Sequence, residues 1–303
     1  RLCQLLELQP RLPEEPITQE HKDLAATLQK LYETQFEKLL IKAKELTGSS
    51  NICLTGGSAY NGVGNVLAYK YFKSVYVPFA PSDAGSAIGA CLTNHTSISP
   101  YLGPSFKNKW IKPLLEKTPF ITYYKLSNEA LVKKVAQLIA TQRIVAWFQG
   151  RMEFGARALG NRSILASPRD GEMRTKLNNV VKKREGFRPF APSVTLEDSK
   201  RYFHVKEPVP YMNIVVKSKV KYLPAATHID KTCRVQTVTR EENEIYYNLL
   251  KEVGKITGIP VVLNTSFNLK DQTITISPEQ ALERFLTSKI EVLVLNNYLI
   301  FKK

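Results

Sequence analysis

The sequence has only four cysteines, Cys3, Cys53, Cys91 and Cys233, and none of them forms a CxxC pair. That scatter excludes zinc-site spacing and gives no disulfide framework at this size, so buried reduced thiols in a cytoplasmic protein are the expectation. No window of about eighteen uninterrupted apolar residues occurs, so no membrane span and no membrane partner are expected. No P-loop of the form GxxxxGK(S/T) is present, nor any internal repeat or low-complexity tract. The chain opens on Arg1 with no methionine and no signal peptide, and it reads as a fragment of a longer protein. Acidic residues are also scarce: 27 Asp and Glu against 43 Lys and Arg leave a formal net charge of +16 over 303 residues. Such a balance attracts nucleic acid, nucleotides and phosphorylated substrates. The plainer alternative is a lysine-coated surface, which fits Lys107, Lys109, Lys112, Lys217, Lys219, Lys221, Lys302 and Lys303 but not the arginines gathered between Arg151 and Arg188.

The order of elements is α/β, with mixed α+β character in a second domain. From Thr18 to Leu46 the apolar spacing is helical, with Leu24, Leu28, Leu31, Leu39 and Ala43 on one face. A short apolar strand, Asn51 to Thr55, runs into Gly56-Gly57, followed by a helix near Asn61 to Asn65 and a strand at Ser74 to Val77. Asp83 precedes a small-residue helix at Ala87 to Leu92. Prolines and a glycine between about 94 and 122 suit an interdomain connector better than a packed element. Beyond it, helices are expected at 128–141, 173–181, 241–257 and 278–287, and strands at 143–148, 214–222, 233–238, 260–263 and 292–295. The domain reading is 1–95, a linker at 96–119, and 120–303.

Four segments carry chemistry. Between Gly150 and Ser163, three arginines (Arg151, Arg157, Arg162) and three glycines follow an apolar strand. Glycine lets the backbone approach a ligand, and arginine offers a planar fork of donors to phosphate or carboxylate. The loop is either an anion cradle or a loop whose arginines pair with surface acids. In the second segment, Lys182 to Ser193, Arg184 and Arg188 interleave with Phe187, Phe190 and prolines, which reads as a rigid loop aiming its arginines; Lys182 and Lys183 read more as a solvated face. In the third, His228 stands near Asp230 and Arg234, as a proton carrier, a phosphate donor or a structural histidine; His21, His95 and His204 rank below it. In the fourth, a buried strand delivers Asn264, Ser266 and Asn268, as ligand groups or as turn formers. Gly56, Gly57 and Asp83 add a weaker set: glycines that suit a phosphate approach, and an aspartate that is a metal ligand or a helix cap.

Together these segments resemble the NodU/CmcH-type O-carbamoyltransferases. The family pattern GGxAxNxxxN stands at Gly56 to Asn65, and PxxxxDxGxxxGA at Pro78 to Ala90. GRxExGPRALGxRSIL, KxREFFRPFAPSV, THxDxxxRxQTV and NTSFNxxGEPI follow in the same order, and the likeness covers residue 18 to the end. Departures are Ala156 for proline, Gly186 for an aromatic, Asp271-Gln272-Thr273 for Gly-Glu-Pro, and Glu291 for aspartate. The resemblance implies an incomplete actin/hexokinase-like lobe over residues 1–95, then a module similar to the threonylcarbamoyl-adenylate synthases. It implies ATP and Mg²⁺, carbamoyl phosphate as donor, a carbamoyl adenylate, and transfer to a hydroxyl of a small-molecule or sugar acceptor. By resemblance, Arg151, Arg157, Arg162 and Arg188 are the catalytic set, and Arg184, His228, Asn264, Ser266, Asn268, Gly56 and Gly57 hold substrate or nucleotide. Asp83 matches one aspartate of a transition-metal (iron-type) site whose HxxxH pair is absent from this sequence. The missing N-terminal half then lies upstream or on a partner chain. Two other readings stand beside this one: a non-catalytic basic nucleotide- or RNA-binding module, and a tRNA-modifying enzyme that uses bicarbonate and threonine.

Overall fold

A computed structural model of the protein describes residues 2–7, 9–12, 15–92 and 98–303; His95 and the start of the expected linker lie outside them. The first part runs α1 (Leu2–Leu6), α2 (Gln19–Thr47), β1 (Asn51–Cys53), α3 (Gly62–Asn65), β2 (Ser74–Tyr76) and α4 (Asp83–Cys91). α2 begins where the Thr18 N–H donates to Nδ1 of His21 at 3.1 Å, which gives that histidine a structural use. It ends at Gly48, in the left-handed region with φ 64°, whose N–H donates to the Lys44 carbonyl. Leu40 is its buried residue. Close by, Glu37 accepts from Lys70 Nζ and from the Tyr71 hydroxyl, both at 2.8 Å. Strands β1 and β2 form a two-stranded sheet.

The rest of the chain runs α5 (Asn108–Lys117), β3 (Ile121–Lys125), α6 (Asn128–Ala140), β4 (Val145–Phe148), β5 (Arg162–Ala166) and α7 (Glu172–Lys176). A π turn at Leu177–Lys182 extends α7. Then come β6 (Ala191–Thr195), α8 (Leu196–Tyr202), β7 (Val216–Lys217), β8 (Thr232–Cys233), β9 (Gln236–Val238), α9 (Glu244–Thr257), β10 (Val261–Ser266), α10 (Pro278–Thr287), β11 (Val292–Leu295) and β12 (Tyr298–Lys302). Eight strands make one mixed sheet in the order β3-β12-β11-β4-β5-β10-β6-β9. The β11–β4 and β6–β9 pairs are parallel and the others antiparallel. α6 and α9 cover it with Leu131, Val135, Ile139, Leu249, Leu250 and Val253, which pack with Trp147, Leu165, Val262 and Val294 into one core. Both helices start on a side-chain cap: Ser127 accepts from the Ala130 N–H, and Asn243 from the Tyr246 N–H. The fold is therefore mixed α/β with a large mixed sheet.

Several expectations change. The stretch read as a connector carries α5, with Ile111 and Leu115 buried, because its apolar residues keep helical spacing around Pro113. α4 starts at Asp83 rather than Ala87, and Ser82 is its cap. The strand expected at 214–222 is ordered as β7 alone. Three of the thiols expected to be buried, Cys3, Cys53 and Cys91, are exposed; only Cys233 is enclosed. By compactness the chain divides into Arg1–Ile52 with Leu67–Val75, and Cys53–Val66 with Tyr76–Lys303. Residues 53–66 and 76–92, expected with the first domain, thus group with the second. Asn65 and Asn213 show why: Asn65 Nδ2 donates to the Asn213 carbonyl at 2.8 Å, and Asn213 Nδ2 to the Pro78 carbonyl at 2.7 Å.

Candidate functional site

Strand directions bring the motif loops to one end of the sheet. β4 ends at Phe148, opposite Arg162 at the start of β5, so residues 149–161 form the loop between them. β10 arrives at the same end, where Ser266 pairs with Ser163. β6 leaves from it, with Ala191 opposite Asn264, and β9 lies parallel to β6 with Gln236 opposite Ser193. The loops carrying Arg157, Arg184 and Arg188, Arg234, and Asn268 therefore converge, although they are far apart in sequence.

The arginines fall into two kinds. Arg162 is fully buried; Nη1 donates to the carbonyls of Gln149 and Asn161, and Nη2 to those of Pro104 and Gly150 at 3.0 and 3.3 Å. Its guanidinium also lies 3.5 Å from the Phe148 ring centroid. Burial pulls it down to about 10, partly opposed by Glu153. Arg151 donates to the Leu102 and Gly103 carbonyls at 2.6 and 3.1 Å. Backbone oxygens take up the other donors of Arg162 and bind Arg151, so both act as struts of the loop, although Arg162 Nε is itself buried without a partner. Arg188 is half exposed and paired with Glu185 at 2.9 Å.

Arg157 and Arg234 differ. Among the described residues neither has a hydrogen bond or ion pair, and the Nε of each is buried without a partner. The Arg157 guanidinium lies 5.6 Å from the centroid of Tyr60, just past the Gly56-Gly57 turn. Arg184 donates Nε to Asn178 Oδ1 at 2.8 Å and lies over Phe190. Burial, and then the positive charges of Arg157 and Arg184, pull Arg234 down to about 10. Burial and then Arg188 lower Arg184. Arg234 is thus repelled by both Arg157 and Arg184, and among the described residues no carboxylate forms an ion pair with any of the three, an arrangement that an anion relieves. The contrast with a 630 Å³ groove between α6 and α9 is plain. There Glu129, Lys133, Arg240, Glu244, Lys251 and Lys255 are all already ion-paired.

Around the arginines stand polar groups of fixed orientation. Glu153 is buried, and its Oε1 accepts the N–H groups of Leu159, Asn161 and Arg162 at 2.7, 2.7 and 3.2 Å. It thereby shapes the loop that carries Arg157. Gln236 Oε1 accepts from Ser193 Oγ and Asn264 Nδ2, so buried Asn264 is held while its own Oδ1 has no partner. The Ser266 hydroxyl donates to Asn268 Oδ1 at 2.6 Å. Lys182 Nζ donates to the Ser266 and Asn268 carbonyls and to Asn268 Oδ1 at 2.5, 2.9 and 2.8 Å. Burial, Arg184 and Arg284 pull Lys182 down to about 7. His228 Nδ1 lies 2.9 Å from Thr232 Oγ1, whose own proton goes to Asp230 at 2.7 Å. The ring therefore donates from Nδ1 and, when neutral, leaves Nε2 as an acceptor. Burial lowers its pKa, with Arg234 adding to the effect against Asp230.

The remaining expected residues lie in the Tyr60 region. Gly56 has φ 88°, and its N–H donates to the Pro81 carbonyl; space is open where a side chain would stand at Gly56 or Gly57. Asp83 is exposed in the first turn of α4, where its charge suits the helix N-terminus. Among the described residues no group of three or more His, Cys, Asp or Glu is placed to hold a metal. Asp83, alone and exposed, does not fit the transition-metal site. Sequence reasoning gave no role to Arg234, Lys182, Glu153 or Tyr60. Arg234 stood in the THxDxxxRxQTV run, and Glu153 in the arginine-glycine motif. Lys182 looked like part of a solvated charge run; nothing in the composition marked its burial.

Comparison with known proteins agrees with this geometry. A profile described as Carbamoyltransferase C-terminus matches residues 136–302, and one described as Carbamoyltransferase N-terminus matches residues 4–92. A Synechocystis sp. protein, sll1178, is 39% identical over 96% of this chain and 54% of its own length. "Nodulation protein NolNO" of Sinorhizobium fredii is 39% identical over 95% of this chain and 45% of its own length. The chain thus spans about half the length of these relatives. Among solved structures, HypF in a phosphate- and nucleotide-bound form aligns over 60% of this chain and 23% of its own, with TM-score 0.42 and 23% identity. Among the described residues no helix is long and apolar enough to cross a membrane. With profiles of both ends matched and relatives 39% identical over nearly the whole of it, the chain belongs to the carbamoyltransferase family.

Proposed function

We propose that residues 120–303 bind ATP, as its Mg²⁺ complex, together with carbamoyl phosphate, and form carbamoyl adenylate. Carbamate, left when carbamoyl phosphate loses its phosphoryl group to water, attacks the α-phosphorus of ATP and displaces pyrophosphate. The adenylate then gives its carbamoyl group to a hydroxyl of a small-molecule or sugar acceptor, with AMP leaving. The observation that supports this reading is the uncompensated cluster of Arg157, Arg184 and Arg234, two of which have buried donors without partners. Preorganised cations of this kind hold dense anions and stabilise the charge that develops during transfer at phosphorus. Asn264, Ser266 and Asn268, fixed by Gln236 and Lys182, orient the carbamoyl amide or the nucleotide. His228 presents Nε2 to a proton on substrate. Arg188 is the outer, solvent-facing member of the set, and Gly56 and Gly57 leave room for a ligand beside Tyr60.

The test is pyrophosphate release from ATP with Mg²⁺, with and without carbamoyl phosphate. Release that depends on carbamoyl phosphate is expected, and Arg157→Ala should abolish it while weakening carbamoyl phosphate binding at least tenfold. Release that depends instead on bicarbonate and threonine would overturn the carbamoyl reading. Salt-sensitive polyanion binding with no ATP selectivity would overturn the enzymatic one.

A further inference from the structure

The arginine-glycine loop is held by a part of the chain that the proposed chemistry leaves unused. Residues 100–104 lie in the stretch that neither family profile matches, and they run along the loop as a strap. The Phe154 N–H donates to the Pro100 carbonyl at 2.7 Å, the Gly103 N–H to the Met152 carbonyl at 2.9 Å, and the Met152 N–H to the Pro104 carbonyl at 3.0 Å. Gly103 permits this approach, since a Cβ there would stand 2.8 Å from that of Met152. Arg151 and Arg162 add their donors to the same strap. Tyr101 is the strap side chain that reaches the far end of the loop, and its ring packs with Leu159, Ala191 and Met212.

The polarity of the hydrogen bonds at Tyr101 is fixed from α9. Asn243 Oδ1 accepts the Tyr246 N–H at 3.2 Å as the helix cap, so its Nδ2 faces the other way as a donor. One Nδ2 proton goes to Asn161 Oδ1 at 3.0 Å and the other to the Tyr101 hydroxyl oxygen at 3.1 Å. The hydroxyl proton then goes to the Leu159 carbonyl, 3.0 Å away, which can only accept. Burial, and then the charge of Glu153, raise the Tyr101 pKa well above its ordinary value, so the hydroxyl keeps its proton. The same carbonyl accepts from Gln236 Nε2 at 3.0 Å, and Gln236 Oε1 holds Asn264. The Leu159 N–H is taken by Glu153. Both backbone polar groups of Leu159, two residues beyond Arg157, are therefore pinned, and Tyr101 supplies the bond that comes from the strap.

We propose that Tyr101 is a positioning residue for anion binding: its hydroxyl, held between Asn243 and the Leu159 carbonyl, keeps the turn after Arg157 in the form that presents that arginine to the ligand. The proposal rests on the reading of Arg157, Arg184 and Arg234 as an anion site. Tyr101 acts through Leu159 rather than on the ligand itself. Without the hydroxyl the loop samples other forms, and affinity falls by the fraction that stays competent. A saturating anion selects the competent form again, so turnover is kept.

The test compares the full chain with Tyr101→Phe, which keeps the ring and its packing and removes only the hydroxyl. Calorimetry with inorganic phosphate should show affinity lowered about tenfold, the scale of one lost buried hydrogen bond. In pyrophosphate release, KM for carbamoyl phosphate should rise by about the same factor while kcat stays within about twofold. Amide exchange at Leu159, Asn161 and Arg162 should quicken and slow again when phosphate is added. In an Arg157→Ala background, Tyr101→Phe should cost no further phosphate affinity, because the hydroxyl works through that arginine. Unchanged phosphate affinity in Tyr101→Phe, or an equal loss with and without Arg157, would overturn the role of Tyr101 and leave the anion site standing. Loss of the fold in Tyr101→Phe would overturn it as well, since the residue would then be structural. A wild-type chain that binds no phosphate would overturn the anion site and this role together.

Discussion

Glu153 Oε1 lies 2.7 Å from the amide nitrogen of Asn161, inside a core where that carboxylate is 2% exposed. The same oxygen also accepts from Leu159 and Arg162, so one side chain fixes the turn that sets Arg157 in place. Glu153→Ala leaves three buried N–H groups unpaired and should destabilise the fold by about 3 kcal/mol or more. Glu153→Gln, which keeps an acceptor oxygen, should cost less. Urea denaturation of the two variants tests the order.

Arg162 and Arg157 should behave oppositely when truncated. Arg162→Ala abandons four carbonyl contacts in a fully buried position and should destabilise by about 3 to 5 kcal/mol. Arg157→Ala and Arg234→Ala each remove one of several mutually repelling charges that has no partner. They should leave stability unchanged or raise it, while carbamoyl phosphate affinity falls at least tenfold. Thermal melting beside ligand titration separates the two classes.

Lys182 gives the protein a pH signature. Its folded pKa of about 7 lies below the unfolded value of about 10.4. The unfolded chain therefore binds more protons across that window, and the destabilisation from burying the ammonium is full below pH 7 and relieved as pH rises toward 10.4. Lys182→Met should flatten that part of the stability–pH curve. An anion bound among the arginines favours the charged ammonium, so phosphate binding near pH 8 should take up protons. Calorimetry in buffers of different ionisation enthalpy measures this directly.

Gly160 has φ 106°, and a Cβ placed there would stand 2.4 Å from Cδ1 of the buried Tyr246 ring. Gly160→Ala therefore combines backbone strain with overpacking and should destabilise by about 2 to 4 kcal/mol. Chemical denaturation is again the check.

Legibility in the sequence followed length and periodicity. α6, α9, α10 and β4 were readable because their apolar spacing persists or their flanks carry clear start and stop signals. β6 was not, because Pro192 lies inside it and prolines argue against an interior strand, yet here Pro192 sits opposite Leu263 within the sheet. β5 was hidden because Arg162 and Ser163 read as part of an anion loop. Arg157 and Arg162, five residues apart in one motif, looked interchangeable. What separates them is that β5 carries Arg162 into the core among backbone carbonyls, which sequence spacing does not encode. Arg234 gained its place only when β9 aligned parallel to β6, a long-range pairing that no local pattern announces.

The pairing of β3 with β12, Ile121 opposite Lys302, places the two ends of the large sheet on neighbouring strands. β3 is made long before its sheet partner, so this edge of the layer closes only once residues 298–302 have been added. Losing residues 298–302 would leave β11 with an open edge and β3 without a partner in the sheet.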